Sequence, residues 1–200
     1  MVFVVLEGFS GTGKTSLAQG LEAKGWLRLA ESAHAVSSQV PLADRADTYA
    51  DYSLIGATLE NCSVIAANRG RRNIVSEGYL LGDLAYARVR YDLEKSDAFP
   101  AMLSLVKRVL AEKVLQPDLY FLLKAKSETI NRRQLSKDER DRNLTEFFQS
   151  RYYSAIEEMH IRLGQESLEV IYTDGGPKET LAEILRVLER RSLLGKRGEP

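Results

Sequence analysis

Short apolar runs alternate along the chain with longer segments in which apolar residues recur every three or four positions. A short apolar run predicts a strand buried on both faces, and the longer spacing predicts an amphipathic helix. The predicted strands cover residues 2–6, 26–30, 73–76, 119–123 and 168–172, and the predicted helices cover 16–24, 44–69, 80–92, 100–115, 127–134, 144–163 and 178–191. Because right-handed crossovers join such strands, we expect an α/β fold, a five-stranded parallel sheet with helices on both faces.

The composition describes one domain. The chain has 200 residues, of which 44% are apolar and 28% charged, and it contains no linker-like or repeated segment. Its single cysteine, Cys62, excludes an internal disulfide and fits a reducing compartment. The first apolar run is short and stops at Glu7, and no later run approaches the roughly 20 residues of a membrane span. We therefore expect a cytoplasmic protein with no membrane partner.

The charge balance limits the expected partners. Lys plus Arg and Asp plus Glu each number 28, so the formal net charge is zero. Without a global basic field to attract nucleic acid or anionic lipid, the ligand is expected to be small. A basic run at Arg69, Arg71 and Arg72 leaves one alternative open, a kinase that acts on nucleic-acid ends. The sequence also leaves open whether the protein is a monomer or a homodimer.

The strongest local signal is the segment GFSGTGKT, residues 8–15, which matches G-x-x-x-x-G-K-[ST] at every fixed position. It follows the first predicted strand and leads into the first predicted helix, as a phosphate-binding loop requires. Lys14 is expected to reach the β and γ phosphates of a nucleotide, and Thr15 to place its hydroxyl on Mg²⁺. The residues predicted to bind the nucleotide are Gly8, Gly11, Thr12, Gly13, Lys14, Thr15 and Ser16.

Two glutamates lie at the ends of predicted strands. Glu31 follows the second strand and Glu77 follows the third. Ligands of open α/β sheets bind outside the carboxyl ends of the strands, so both carboxylates are candidates for chemistry. For Glu31 the alternative is a structural one, in which it caps the next segment.

Further candidates lie beyond the third strand. Tyr79, Tyr86 and Arg88 are candidates to hold an acceptor, or they lie on the surface. The charged stretch at about 132–143 is either a solvated loop or a lid that closes over transferring phosphates. The lid arginines expected to act are Arg133, Arg140 and Arg142. The polar tail, residues 195–200, is expected to be flexible.

Together these segments resemble the nucleoside and nucleotide kinases of the P-loop class, and thymidylate kinases in particular. The opening FVVLEGFSGTGKT is similar to the first strand and loop of that family, and SEGYLLGDLAY to its strand-end Asp-Arg-Tyr motif. PDLYFLL resembles the fourth strand, and ERDRN resembles the arginine-bearing lid. The resemblance implies strand order 2-3-1-4-5 and ATP as the donor, with the loop that carries Asp174 and Gly175 against the adenine.

Two departures from the family bear on the acceptor. Where the family has Asp-Arg, this chain has Glu77-Gly78, so the arginine that holds the acceptor's phosphate is missing. Glu31, in Ala-Glu-Ser, resembles the base that deprotonates the sugar hydroxyl in deoxynucleoside kinases. These departures favour an uncharged hydroxyl acceptor. In the implied strand order, Glu77 is expected beside the phosphate loop as a ligand to Mg²⁺ or its waters, and Glu31 across the acceptor as the base.

The resulting hypothesis is an ATP-dependent kinase that moves the γ-phosphoryl group of ATP to a small acceptor, with ATP and Mg²⁺ as cofactors. A nucleoside or nucleoside monophosphate is the expected acceptor, and another small hydroxylated metabolite is the alternative. A P-loop ATPase or nucleotide switch without a small-molecule acceptor is a second alternative. The residues predicted to be catalytic are Lys14, Glu31, Glu77, Arg133, Arg140 and Arg142.

Overall fold

The five apolar runs form the five strands of one parallel sheet. The structure is a computed structural model that describes residues 1–32, 48–134, 146–165 and 167–194. Its strands are β1 (Phe3–Gly8), β2 (Leu27–Leu29), β3 (Ile74–Glu77), β4 (Leu119–Lys124) and β5 (Leu168–Tyr172). They lie in the order β2-β3-β1-β4-β5, and every neighbouring pair is parallel. This confirms the predicted fold class and strand order.

The first strand lies in the middle of the sheet. Leu6 of β1 lies opposite Glu77 of β3 on one side and Phe121 of β4 on the other. All six residues of β1 are buried, which is why the strand is an apolar run until Glu7. The carboxyl ends of β1 and β3 therefore lie side by side, and they bring Glu77 next to the segment that follows Gly8.

Seven helices and one 3₁₀ turn surround the sheet within the described ranges. The helices are α1 (Lys14–Glu22), α2 (Thr48–Asn68), α3 (Leu80–Asp92), α4 (Phe99–Ala111), α5 (Ser127–Gln134), α6 (Glu146–Arg162) and α7 (Pro177–Arg190), and the 3₁₀ turn is Lys113–Leu115. None of the described helices combines the length and hydropathy needed to cross a membrane.

The core is divided into two layers by the sheet. Phe3 and Val5 of β1 face one side, where they join a buried cluster with side chains of α2, α3, α4 and α6. Val4 and Leu6 face the other side and join side chains of α1 and α7. The two faces alternate along β1 because successive side chains of a strand point in opposite directions. The result is the predicted three-layer arrangement.

One predicted helix ends earlier than expected, and parts of three other predicted segments lie outside the described residues. The helix predicted over 100–115 ends at Ala111, because Glu112 has an extended backbone (φ −78°, ψ 107°), and the 3₁₀ turn follows. Residues 33–47 lie outside the described residues, and with them the start of the helix predicted from residue 44. Most of the predicted lid, residues 135–143, and the tail at 195–200 also lie outside them.

Candidate active site

The loop between β1 and α1 carries three glycines with positive φ angles, 155° at Gly8, 86° at Gly11 and 96° at Gly13. Residues with a side chain rarely adopt such angles. At Gly8 the space is also closed, because an added Cβ would lie 2.7 Å from the Leu123 carbonyl oxygen. Gly13 directly precedes the first residue of α1. The loop therefore bends tightly onto a helix N-terminus, where backbone N–H groups and the helix dipole favour an anion.

Lys14 extends from the first turn of α1 back over the loop. Its Nζ donates a hydrogen bond to the Gly8 carbonyl oxygen at 2.7 Å and lies 3.6 Å from Glu31 Oε2. The side chain is only 7% exposed. The ammonium group thus lies between the backbone of the loop and a carboxylate that follows β2, at the N-terminus of α1.

Two other residues predicted to bind the nucleotide lie in the same loop and turn. Thr12 is buried, and its hydroxyl donates to the Phe9 carbonyl oxygen at 2.8 Å, so this side chain closes the turn of the loop. Ser16 lies in the first turn of α1 with its side chain exposed. Direct contact of either residue with a nucleotide stays a prediction.

Glu77 connects Thr15 to Arg28, which was not among the predicted site residues. Thr15 Oγ1 donates to Glu77 Oε2 at 2.6 Å, and Arg28 Nε donates to Glu77 Oε1 at 2.6 Å. The Glu77 side chain is fully buried. Arg28 stands between Leu27 and Leu29 in a three-residue strand. The charge of Arg28 inside an apolar run is the sequence signal that could have identified this residue.

The residues present fit a magnesium–nucleotide complex. A hydroxyl and a carboxylate, those of Thr15 and Glu77, lie in contact at the start of α1. Oxygen atoms are the ligands that Mg²⁺ prefers, and in phosphate-transferring sites it is usually held by one or two carboxylates together with substrate phosphates. Lys14 supplies a positive charge one residue away. We therefore expect Thr15 and Glu77 to hold Mg²⁺ jointly with a bound nucleotide.

Glu7 is a second buried carboxylate that was not among the predicted site residues. Its Oε1 accepts hydrogen bonds from the backbone N–H groups of Tyr79 at 2.9 Å and Gly82 at 3.1 Å. It therefore ties the end of β1 to the first turn of α3. Burial, with a smaller contribution from the charge of Asp83, raises the pKa of Glu7 to about 8. The two N–H bonds and Lys14 act in the opposite direction but do not outweigh burial.

Asp83, on α3, completes a group of three carboxyls with Glu7 and Glu31, which we call the acid cluster. Burial raises the pKa of Asp83 to about 7, and the charge of Glu31 contributes in the same direction, whereas Thr58 and Arg90 lower it. Asp83 Oδ2 is buried and has no hydrogen-bond partner among the described residues. The acid cluster therefore lies on the α3 side of the sheet next to Lys14. Of its three members, Glu31 was among the predicted site residues.

The three predicted acceptor residues on and before α3 lie in different places. Tyr79 is buried, and its hydroxyl lies 3.3 Å from the Leu115 carbonyl oxygen and 3.3 Å from Cys62 Sγ. Arg88 pairs with Asp92 one turn along α3, and its Nε lies 3.7 Å from Glu158 Oε2 of α6. The structure therefore brings neither the Tyr79 hydroxyl nor the Arg88 guanidinium to the acid cluster, although the backbone N–H of Tyr79 binds Glu7.

Tyr86 lies close to the acid cluster. Its ring stacks on Phe148 at 5.9 Å and lies 4.5 Å from the ring of Tyr152. The guanidinium of Arg90 lies 5.5 Å from the ring centre and forms a buried ion pair with Asp51 of α2. Burial raises the pKa of the Tyr86 hydroxyl, and the charge of Glu31 adds to this effect. An acceptor role for Tyr86 stays a prediction.

Arg133, at the end of α5, joins the phosphate loop to the loop after β5. It donates to the carbonyl oxygens of Gly11 at 3.2 Å and Gly175 at 3.2 Å, and also to that of Thr173. Asp174 in the same loop accepts from the backbone N–H of Lys126 at 2.9 Å. The Arg133 guanidinium is thus bonded to backbone oxygens. A role for Arg133 in phosphoryl transfer stays a prediction, and so does contact of Asp174 and Gly175 with adenine.

The other two lid arginines, Arg140 and Arg142, lie outside the described residues.

Comparison with known proteins finds matches among solved structures. No protein-family model matches the chain, and no curated protein sequence matches it. The chain is similar to thymidylate kinase from Candida albicans (TM-score 0.72, 15% identity, 96% of this chain and 92% of that chain). It is also similar to deoxyadenosine kinase from M. mycoides with bound dATP (TM-score 0.69, 15% identity, 94% and 99%). The chain has the P-loop nucleoside and nucleotide kinase fold. The resemblance seen in the sequence is thereby confirmed at the level of the fold.

The contact between Glu7 and α3 in this kinase fold makes Gly82 sensitive to substitution. An added Cβ at Gly82 would clash with the Glu7 carboxylate and would lie 3.1 Å from its Cδ. Alanine favours a helix over glycine by about 1 kcal/mol, but forcing a methyl group into a packed site costs about 1–3 kcal/mol. We expect Gly82→Ala to lower the free energy of unfolding by about 1 kcal/mol in urea denaturation.

Gly56 supplies the matched control for that experiment. It lies inside α2, and an added Cβ there would meet no atom within 4 Å. Gly56→Ala is therefore expected to raise the free energy of unfolding by about 0.5–1 kcal/mol. Equal stabilisation by both substitutions would show that Glu7 does not pack against α3 as described.

Glu7 also makes stability depend on pH. The folded state keeps its proton up to about pH 8, whereas the unfolded chain releases it near the ordinary pKa of 4.5. The stability that Glu7 contributes is therefore full below pH 4.5 and is lost as the pH rises through about 8. The slope from one such group reaches about 1.4 kcal/mol per pH unit. Urea unfolding between pH 5.5 and 8.5 should show this decline in the wild type.

Glu7→Gln tests the origin of that decline. The amide cannot release a proton, so the variant should show a shallower decline, and the remaining slope belongs mainly to Asp83. Glu60→Gln, at an exposed position of α2, should keep the wild-type slope. If Glu7→Gln and the wild type lost stability equally with pH, Glu7 would not hold its proton in the folded state.

Proposed function

We propose that the protein is an ATP-dependent kinase that transfers the γ-phosphoryl group of ATP to a hydroxyl group of a small acceptor, a nucleoside in the first instance. The observation that carries the proposal is the distance of 3.6 Å between Lys14 Nζ and Glu31 Oε2. It places a possible proton acceptor beside the ammonium group of a phosphate-binding loop. A site that only bound a nucleotide would not need a proton acceptor there, and the screen described below separates transfer to a small acceptor from hydrolysis.

The transfer takes place in one step. The acceptor hydroxyl oxygen forms a bond to the γ-phosphorus of ATP, the bond to the β–γ bridging oxygen breaks, and ADP leaves. Glu31 takes the proton of the hydroxyl. The Lys14 ammonium group and the N-terminus of α1 stabilise the charge on the phosphoryl oxygens, since this transfer depends on alignment and positive charge. Mg²⁺, when bound, would neutralise charge on the β and γ phosphates.

The acid cluster supports a neutral acceptor over a monophosphate. A Cβ at Gly78 would lie 4.0 Å from Glu31 Cγ and 4.0 Å from Glu7 Oε2, so the position that lacks the arginine of thymidylate kinases faces carboxylates. An acceptor phosphate placed there would lie beside the Glu31 carboxylate, with no arginine at residue 78 to neutralise it. We expect the reaction to take place in the cytoplasm.

An ATP-consumption screen tests the proposal. Purified full-length protein with Mg²⁺ and ATP is offered nucleosides, the matching nucleoside monophosphates and other small hydroxylated metabolites. We expect turnover with at least one nucleoside and little with its monophosphate. Binding of ATP without transfer to any acceptor would favour a nucleotide switch, and transfer to oligonucleotide ends would favour a nucleic-acid kinase. Failure to bind Mg²⁺ and ATP at all would refute the proposed function.

A further inference from the structure

We propose that Arg28 is a positioning residue that holds Glu77 in the orientation in which Thr15 and Glu77 receive Mg²⁺. The inference rests on the proposed function, because it concerns the same magnesium–nucleotide site. Arg28 itself is not expected to touch the nucleotide. It acts through Glu77, and its effect should therefore appear in metal-dependent binding.

The sheet explains why Arg28 reaches Glu77. Arg28 lies opposite Val75 in the pairing of β2 with β3, and Val75 belongs to the buried cluster on the α1 side. Glu77 is two residues further along β3, so its side chain points to the same side. Arg28 Nε consequently meets Glu77 Oε1 at 2.6 Å. A shift of one residue in this pairing would turn Arg28 to the opposite side of the sheet.

The Glu77 carboxylate is then fixed at both oxygen atoms. Arg28 binds Oε1, and the Thr15 hydroxyl binds Oε2. Charge-assisted hydrogen bonds of this kind are about twice as strong as neutral ones. Without Arg28, the fully buried Glu77 carboxylate would keep only one of these two partners, the Thr15 hydroxyl. It would lose the charge that offsets its burial, and its side chain could rotate away from Thr15.

The orientation of the Glu77 carboxylate determines where the hydroxyl proton of Thr15 points. A hydroxyl group has one proton and two lone pairs. Since the proton of Thr15 is directed to Glu77, the lone pairs of Oγ1 are left for a cation. Arg28 thus fixes Glu77, and Glu77 fixes the direction of the Thr15 lone pairs. Residues that orient metal ligands in this way commonly change metal affinity by about 10–100-fold when they are removed.

Arg69 offers a matched control at another place in the sheet. It pairs with Asp118 at 2.8 Å, and the other oxygen of Asp118 accepts the backbone N–H of Phe3 at 2.7 Å. This pair, like that of Arg28, joins an arginine to a carboxylate whose two oxygens both have partners. The exposed fractions are also alike, 19% for Arg69 and 21% for Arg28. Asp118, however, lies before β4, at the amino end of the strands.

The test is calorimetric binding of a non-hydrolysable ATP analogue to the full-length protein, with Mg²⁺ and with EDTA. The wild type should bind the analogue more tightly with Mg²⁺. Arg28→Met should reduce this Mg²⁺-dependent gain by about tenfold while leaving the affinity in EDTA unchanged. Arg28→Lys should recover part of the gain because it keeps the charge. Arg69→Met should keep the full gain. Both methionine variants should lower thermal stability, because each removes an ion pair.

The outcomes separate this inference from the proposed function. If the wild type showed no Mg²⁺-dependent binding, the kinase function itself would fail. If the wild type showed it and Arg28→Met showed an equal gain, Arg28 would have a structural role alone. An equal loss in Arg69→Met would also overturn the inference, because the effect would then be general. If Arg28→Met does not fold, Arg28→Gln replaces it with the same expected loss.

Discussion

Lys14→Ala is expected to lower kcat/KM by about a thousandfold with any acceptor found in the screen. The ammonium group lies on the phosphate loop, 2.7 Å from the Gly8 carbonyl oxygen, at the first residue of α1. Its loss removes positive charge from the phosphates both in the bound state and during transfer. Steady-state kinetics with varied ATP, together with calorimetric binding of Mg²⁺ and ATP, measures both effects.

Lys24→Ala is the control for Lys14→Ala. Lys24 follows α1 at its other end and is exposed, so its removal changes the charge of the protein equally without changing the loop. We expect wild-type kinetics from this variant. Full turnover by Lys14→Ala would mean that the loop does not hold the transferring phosphates, and the proposed function would have to be abandoned.

Glu31→Gln is expected to lower kcat by about a hundredfold or more, with little change in the affinity for ATP. The amide has nearly the same shape as the carboxylate but cannot accept the proton of the acceptor hydroxyl. Since Glu31 lies 3.6 Å from Lys14 and not within the loop, the nucleotide should still bind. Single-turnover measurements, in which product release does not limit the rate, give the effect on transfer directly.

Glu169→Gln is the matched control for the base assignment. Glu169, like Glu31, has a carboxylate in an ion pair, 2.7 Å from Arg191, and its exposed fraction of 22% is close to the 27% of Glu31. It lies in β5 at the far edge of the sheet from β2. We expect it to have wild-type kinetics. A Glu31→Gln variant with the kcat of Glu169→Gln would show that Glu31 is structural, as in the capping alternative.

The nucleotide side of the candidate site was largely predictable. Lys14 and Thr15 belong to a contiguous motif, and adjacent residues stay close in any fold. Glu77 was predictable for another reason. Because parallel strands end at one edge of a sheet, a carboxylate at the end of a strand beside β1 must lie near the loop that follows β1. The contact between Thr15 and Glu77 at 2.6 Å agrees with that expectation.

The acceptor side was less predictable because it depends on which face of an element a residue occupies. Tyr79 and Arg88 follow β3 in the sequence, but Tyr79 is buried in the core and Arg88 pairs with Asp92 of α3 and Glu158 of α6. Asp83 of the same helix lies in the acid cluster instead. The apolar spacing of α3 gave no indication of this arrangement, since α3 is buried along most of its length by α2, α4 and α6.

The sequence by itself determined the five strands, their parallel arrangement, the phosphate loop and the carboxylates at the strand ends, because local periodicity and short-range motifs specify these features. Only the tertiary structure decided that Arg28 meets Glu77 and that Glu7 and Asp83 join Glu31. These residues are far apart in the sequence, up to 76 positions between Glu7 and Asp83. They meet only when the strands pair in this register and α3 turns this face to the sheet. Strand register and helix rotation are set by packing over the whole domain, which a local pattern does not encode.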